Sequence, residues 1–201
     1  MKKKQESSKT FEELEIGRRV RNLREKMQLT LQDLAAKTDI PKSVLEEIEE
    51  GDVVPPVFML LRLSKALKVG MAHFFHEEDL SVNLSVTRSN ERVRMKKWRS
   101  QHHIGDVDYI YESLELKKCD KHMEPLWVEF LPMSTADLVF SSHSGEEFLY
   151  VLEGVLEFRS DNLVEKLCPG DTIYFDSDMN HSYRGLDGKP AKAIVVVWSK
   201  P

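Results

Sequence analysis

Cysteine is scarce in this chain: Cys119 and Cys168 are the only two in 201 residues, too few for a disulfide framework. No apolar run reaches the roughly 18 residues that a membrane-spanning helix needs. The opening Met1-Lys2-Lys3-Lys4 is basic but has no apolar stretch behind it, so it does not read as a secretory leader. No internal repeat is visible. These absences argue against a disulfide-stapled secreted scaffold, a membrane protein and a solenoid. They leave the expectation of a soluble, cytoplasmic protein with reduced thiols. With 41% hydrophobic and 31% charged residues, the chain can bury a compact core as one large domain or two small ones.

Charge divides the chain. Residues 1–75 carry 14 Lys and Arg against 12 Asp and Glu, and residues 76–100 carry 6 against 4. Residues 101–201 carry 9 against 18, which accounts for the overall net charge of −5. A mildly basic front and an acidic back suggest two domains with different partners, although a solvated acidic surface would give the same count.

The hydrophobic pattern changes at the same place. Between Phe11 and Phe75, apolar residues recur at helical spacing: Val20, Leu23 and Met27, then Leu31 and Leu34, then Val44, Leu45 and Ile48, then Leu60, Leu63 and Leu67. Thr30 is a candidate N-cap, Asp39 and Pro41 suit a second helix start, and Gly51 ends that helix. Pro55-Pro56 opens the next, and Gly70 is a candidate stop. After residue 108 the chain turns to segments rich in branched and aromatic residues, such as Phe148-Leu-Tyr-Val-Leu and Ala193-Ile-Val-Val-Val-Trp. Short turn-rich intervals between them point to an antiparallel sandwich or barrel. Most of its aromatics (Tyr109, Tyr111, Trp127, Phe140, Tyr150, Tyr174, Tyr183 and Trp198) are expected in the barrel core. The expected fold is therefore α+β in two domains. A disordered basic tail (1–10) precedes a helical domain (11–76), a linker (77–107) and a β domain (108–201).

The segment from Leu29 to Gly51 resembles the helix-turn-helix domain of the phage-repressor-like, or xenobiotic response element, family. The resemblance extends over roughly residues 14–75, including the arginine-rich Gly17-Arg-Arg-Val-Arg-Asn-Leu-Arg and the closing Phe74-Phe75. It implies a recognition helix that enters a major groove about 12 Å wide. By that resemblance Gln32 would touch the phosphate backbone, with Arg18 in support. Lys42, Ser43, Glu46 and Glu47 would face bases or phosphates. Family members usually carry Ser-Gln where this chain has Glu46-Glu47, and often Arg where it has Glu50, so the acids weaken the expected grip. Arg18, Arg21 and Arg24 also read as an ordinary solvated helix face, and Lys2, Lys3 and Lys4 read either as nonspecific phosphate contacts or as an idle tail.

Downstream, Ser141-Ser-His-Ser-Gly-Glu-Glu to Gly154 and Cys168-Pro-Gly-Asp to His181 resemble the two motifs of the cupin superfamily, a double-sheet jelly roll, over about residues 108–199. In metal-binding cupins the first motif gives two histidines and a glutamate, and the second gives a histidine. Carried over, this implies His143, Glu147 and His181, with Ser141 in place of the other histidine. Two histidines and a carboxylate are the ligand type of open non-haem iron sites, and zinc, manganese or nickel are further occupants. The three could instead hydrogen-bond one another without metal. His73, His76, His102, His103 and His122 have no partners at ligand spacing, and Cys168 is expected in packing.

A helix-turn-helix head on a cupin barrel resembles ligand-responsive transcription regulators. The resemblance implies a double-stranded DNA operator, a small-molecule effector and a homodimer joined through the barrels. The layout is also similar to the hydroxypropylphosphonate epoxidase family, which implies a mononuclear non-haem iron enzyme instead.

Overall fold

The computed structural model describes residues 15–53, 55–75, 83–92, 94–95, 109–115, 117–118 and 121–198. The residues Lys2, Lys3, Lys4, His76, His102, His103 and Cys119, with most of the span 77–107, lie outside them. Two units are present: an N-terminal helix bundle and a C-terminal β-sandwich.

The bundle has helices α1 (Ile16–Lys26), α2 (Leu31–Thr38), α3 (Lys42–Glu50) and α4 (Val57–Ala66), then a 3-10 turn over Met71–Phe74. Its core is apolar: Val20, Leu34, Val44, Leu45, Ile48, Leu60, Leu63 and Phe74 are all fully buried. Gly17 lets α1 approach α3, because a Cβ there would lie 2.1 Å from the Ile48 carbonyl oxygen. Thr30 caps α2 through a capping box: its hydroxyl accepts from the Asp33 amide at 3.1 Å, and the Asp33 carboxylate accepts from the Thr30 amide at 2.9 Å. Gly51, at φ 84°, ends α3 in the left-handed conformation that glycine adopts without steric cost.

Two punctuation marks act differently from the sequence expectation. Asp39 closes α2 in the left-handed conformation, so Pro41 alone precedes α3. Lys68, not Gly70, takes the left-handed turn after α4, with the Val69 amide donating to the Ser64 carbonyl at 3.0 Å.

The β unit contains β1 (Arg94–Met95), β2 (Tyr109–Ser113), β3 (Met123–Phe130), β4 (Glu146–Glu153), β5 (Leu156–Ser160), β6 (Val164–Leu167), β7 (Thr172–Asp176), β8 (His181–Gly185) and β9 (Ala191–Trp198). Six form one sheet in the order β1-β2-β3-β9-β4-β7, and three form the other in the order β6-β5-β8, with every pairing antiparallel. Side chains alternate between faces. Leu126, Val128, Phe130, Leu149, Val151, Val195 and Val197 pack between the sheets with Leu156 and Phe158.

The same period of two corrects the expected core. Tyr150 (40% exposed) and Tyr174 (64%) point outward, and Phe140 (37%) is exposed in a loop. Trp127 and Trp198 share the outward parity of their strands. Cross-strand registry assembles these into rows: Trp127–Ile194–Tyr150 and Pro125–Val196–Phe148–Tyr174. Tyr109, Tyr111 and Tyr183 do face inward.

Helix α4 lies against one end of the sandwich. The Tyr111 hydroxyl donates to the Pro55 carbonyl at 3.2 Å, and Arg62 donates from Nη2 to the Ser142 carbonyl at 3.0 Å.

Candidate metal centre and nucleic-acid interface

Three donor side chains converge inside the sandwich. Glu147 is the second residue of β4, and odd-numbered positions of that strand face inward. His143 lies four residues earlier in the approach to β4, where its amide donates to the Ser177 carbonyl at 3.0 Å. His181 opens β8, and its backbone exchanges two hydrogen bonds with Ser141 at 2.9 and 3.0 Å. Ser141 thus contributes main chain rather than a ring to the centre. The Glu147 Oε1 atom is 2.6 Å from His143 Nε2 and 3.5 Å from His181 Nε2. All three side chains are buried.

The arrangement fits a divalent cation. Ligand atoms from the three residues lie within 4.8 Å of one another. Donors at metal distances of about 2.1 Å sit roughly 3 Å apart, within the interval spanned by the two observed separations. His181 Nδ1 donates to the Met179 carbonyl at 2.8 Å, which holds the ring with Nε2 aimed at the centre, as in many metal-bound histidines. The Tyr183 hydroxyl donates to Glu147 Oε2 at 2.9 Å, leaving Oε1 alone to face the imidazoles. His143 Nδ1 is buried with no hydrogen-bond partner among the described residues. Burial pushes the Glu147 carboxyl up, but hydrogen bonds from His143 and His181, with their charge, outweigh it and hold the group at about 2. Glu147 is therefore a permanent carboxylate near neutral pH, as a ligand must be.

Above the centre is a cavity of about 70 Å³ with a polar floor and apolar walls. Part of the wall comes from the helical unit, through Val57, Phe58 and Leu61 of α4. A neighbouring cleft of about 380 Å³ shares Leu61 and His143 with the cavity and opens past Lys37, Asp39, Arg62, Lys65 and Asp178. Nothing in the local sequence signals this shared wall, because it joins residues about eighty positions apart. The Arg62 contact with Ser142, 80 residues on, and the Tyr183 contact with Glu147, 36 residues back, are likewise invisible to local sequence.

On the helix bundle, Val44, Leu45, Ile48 and Glu49 form the buried side of α3. Lys42, Ser43, Glu46, Glu47 and Glu50 lie on the remaining face, with Lys42 and Glu50 exposed and the other three half-buried. Gln32 is exposed in the first turn of α2. Lys42 Nζ is 3.3 Å from Glu46 Oε1, so the lysine is partly neutralised within its own helix. Arg18 is exposed and paired with Glu15.

Arg21 and Arg24 are not simply a solvated helix face. Both hold the buried Glu49: Arg24 contributes Nε at 2.6 Å and Nη2 at 2.8 Å, and Arg21 contributes Nε at 3.2 Å. Their function is to fix α1 to α3. Cys168, expected in packing, is exposed next to the Pro169-Gly170 turn. His122 is exposed, and His73 contacts the Gly70 carbonyl at 3.2 Å; neither approaches the centre.

Comparison with known proteins agrees with both halves. The helix-turn-helix family matches residues 20–74, and the cupin domain family matches residues 127–197. The chain is 29% identical over 125 residues to (S)-2-hydroxypropylphosphonic acid epoxidase of Streptomyces wedmorensis, an alignment spanning 59% of this chain and 61% of that enzyme. Among solved structures, an HTH_3 family transcriptional regulator from Vibrio cholerae superimposes with a TM-score of 0.66 at 23% identity, covering 94% of this chain and 97% of the other. The Fe(II) form of HppE gives a TM-score of 0.50 at 22% identity, covering 92% and 98%. At these identities the structural likenesses speak for the fold. No helix among the described residues is long and apolar enough to cross a membrane.

Proposed function

We propose that this chain, a helix-turn-helix domain joined to a cupin domain, is a DNA-binding transcription regulator whose barrel holds a divalent cation and a small effector. The observation that carries this reading is the double use of one bundle: α3 leaves its polar face open, while α4 forms part of the effector cavity. Gln32 and Arg18 would contact phosphates, and Lys42 and Ser43 would lead the recognition helix into the groove. Glu46 and Glu47 repel phosphates and accept hydrogen bonds from cytosine N4. His143, Glu147 and His181 would hold the cation, which supplies a positive charge and open coordination positions for a ligand group. An effector that binds one bundle arrangement better than another shifts the population that can reach DNA. The reading goes with a cytoplasmic protein.

Selection from a random duplex library with the full-length protein tests this. A specific sequence is expected to emerge, with binding that weakens linearly in log K against log salt. Glu46→Gln is expected to tighten binding about threefold by removing a charge near the backbone and releasing Lys42. Failure to enrich any sequence, or salt-independent binding, sinks the reading.

A homodimer completes it, since two recognition helices read two half-sites. The outward rows containing Phe148, Tyr150 and Tyr174 are an apolar patch suited to a second copy. Phe148→Arg with Tyr150→Arg is expected to convert dimers to monomers in light scattering and lower operator affinity. An unchanged mass would remove this face from consideration.

A second reading is favoured by the donor set together with the likeness to the epoxidase: an iron-dependent oxidation of a small substrate in the same cavity. It predicts substrate-dependent oxygen uptake by the iron-loaded protein and no selected duplex.

A further inference from the structure

We infer that the cavity between α4 and the barrel floor takes a compact monocarboxylic acid with a short hydrocarbon body, bound across the two domains. This rests on the cation reading of His143, Glu147 and His181 given above.

Charge gives the first constraint. A dication held by two neutral imidazoles and one carboxylate keeps one net positive charge, and all three side chains are buried. A buried charge needs a partner, so a ligand head with a single negative charge is favoured over a neutral or cationic one. The approach agrees in sign: Lys37, Arg62 and Lys65 line the adjoining cleft against Asp39 and Asp178.

The walls give the second constraint. Beyond the polar floor the cavity is bounded by apolar side chains from both units, including Phe58 and Leu61 on the helix and Val128 and Val195 on the sheet. These offer nothing to a polar body and reward a hydrocarbon one. Size gives the third. A cavity of about 70 Å³ suits a ligand of about five non-hydrogen atoms.

Such a ligand would touch α4 and the cation centre together. Arg62, one residue beyond the Leu61 wall, donates to the Ser142 carbonyl beside His143 at 3.0 Å and reaches the Thr38 carbonyl at 3.5 Å, where α2 turns toward α3. Occupancy is thereby linked to the segment that carries the recognition helix.

The test uses full-length protein loaded with Mn²⁺ or Co²⁺, with calorimetric titration of straight-chain acids from acetate to hexanoate. Alcohols, amines and phosphonates of equal chain length are run beside them. Acids are expected to bind best, with affinity rising about fourfold per methylene until the cavity is full. Phe58→Ala is expected to flatten this dependence while metal affinity, read by chelator competition, is unchanged. Equal binding of alcohols or amines overturns the inference, as does tighter binding of phosphonates or a chain-length dependence unaffected by Phe58→Ala. Metal bound without any acid overturns the inference alone. No metal bound overturns the cation reading and the inference together. The chain-length series on the unaltered protein decides the case even if Phe58→Ala does not fold.

Discussion

His143→Ala is expected to weaken divalent-cation binding by roughly 100-fold or more. The unaltered centre offers three donors around one point, with Glu147 Oε1 between His143 Nε2 and His181 Nε2. Removing one imidazole leaves a two-donor site. Loss of a residue that merely supports a ligand typically costs 10–100-fold, so loss of a ligand should reach at least the upper end. Thermal unfolding reads this directly through linkage. At a metal concentration of about 100 times the dissociation constant, the unaltered protein gains about 2.7 kcal/mol. A variant binding 100-fold more weakly gains only about 0.4 kcal/mol at that concentration. Tyr183→Phe should fall between them, because it removes only the hydrogen bond that reserves Glu147 Oε2. If His143→Ala keeps the full metal-induced shift, the three side chains form a hydrogen-bonded floor and not a metal centre.

Arg24→Met is expected to destabilise the helix bundle by about 3–5 kcal/mol, toward the lower figure because Arg21 still reaches Glu49. The Glu49 side chain is only 2% exposed, and Arg24 grips it through two nitrogens while also donating Nη1 to the Leu29 carbonyl at 2.9 Å. Cutting the arginine back leaves a carboxylate in the interior with one partly exposed partner. Replacing both residues, as Arg24→Met with Glu49→Leu, should recover much of the loss, since the buried charge goes with its partner. Urea unfolding followed by circular dichroism at 222 nm measures this. Circular dichroism is the readout because residues 15–75 contain no tryptophan. Arg18→Met is the control, since Arg18 and Glu15 are both exposed. Equal effects at Arg18 and Arg24 would show that the Glu49 pair contributes little. The pair ties α1 to α3, the helix that the proposed reading places in the groove.

The sequence itself determined the helices, the caps at Thr30 and Gly51 and, through the resemblance to cupin motifs, the candidate donors of the barrel. Thr30 and Asp33 cap α2 with interactions three residues apart, and Gly51 ends α3 because of its own backbone freedom. His143 and Glu147 lie in one cupin-like motif and His181 in the other, and the resemblance to those motifs is what implies the metal reading. Such features are local, and local chemistry is written in neighbouring residues. The strand parity of Tyr150 and Tyr174 was less legible: alternation fixes which residues share a face, but only the packed sheets decide which face is the core. The purpose of Arg24 and the α4 wall of the cavity lay beyond local reading altogether. Arg24 meets Glu49 25 residues on, and Arg62 meets Ser142 80 residues on. Contacts at such separations exist only once the chain has folded, so the sequence supplied the donor groups and the tertiary structure chose their partners.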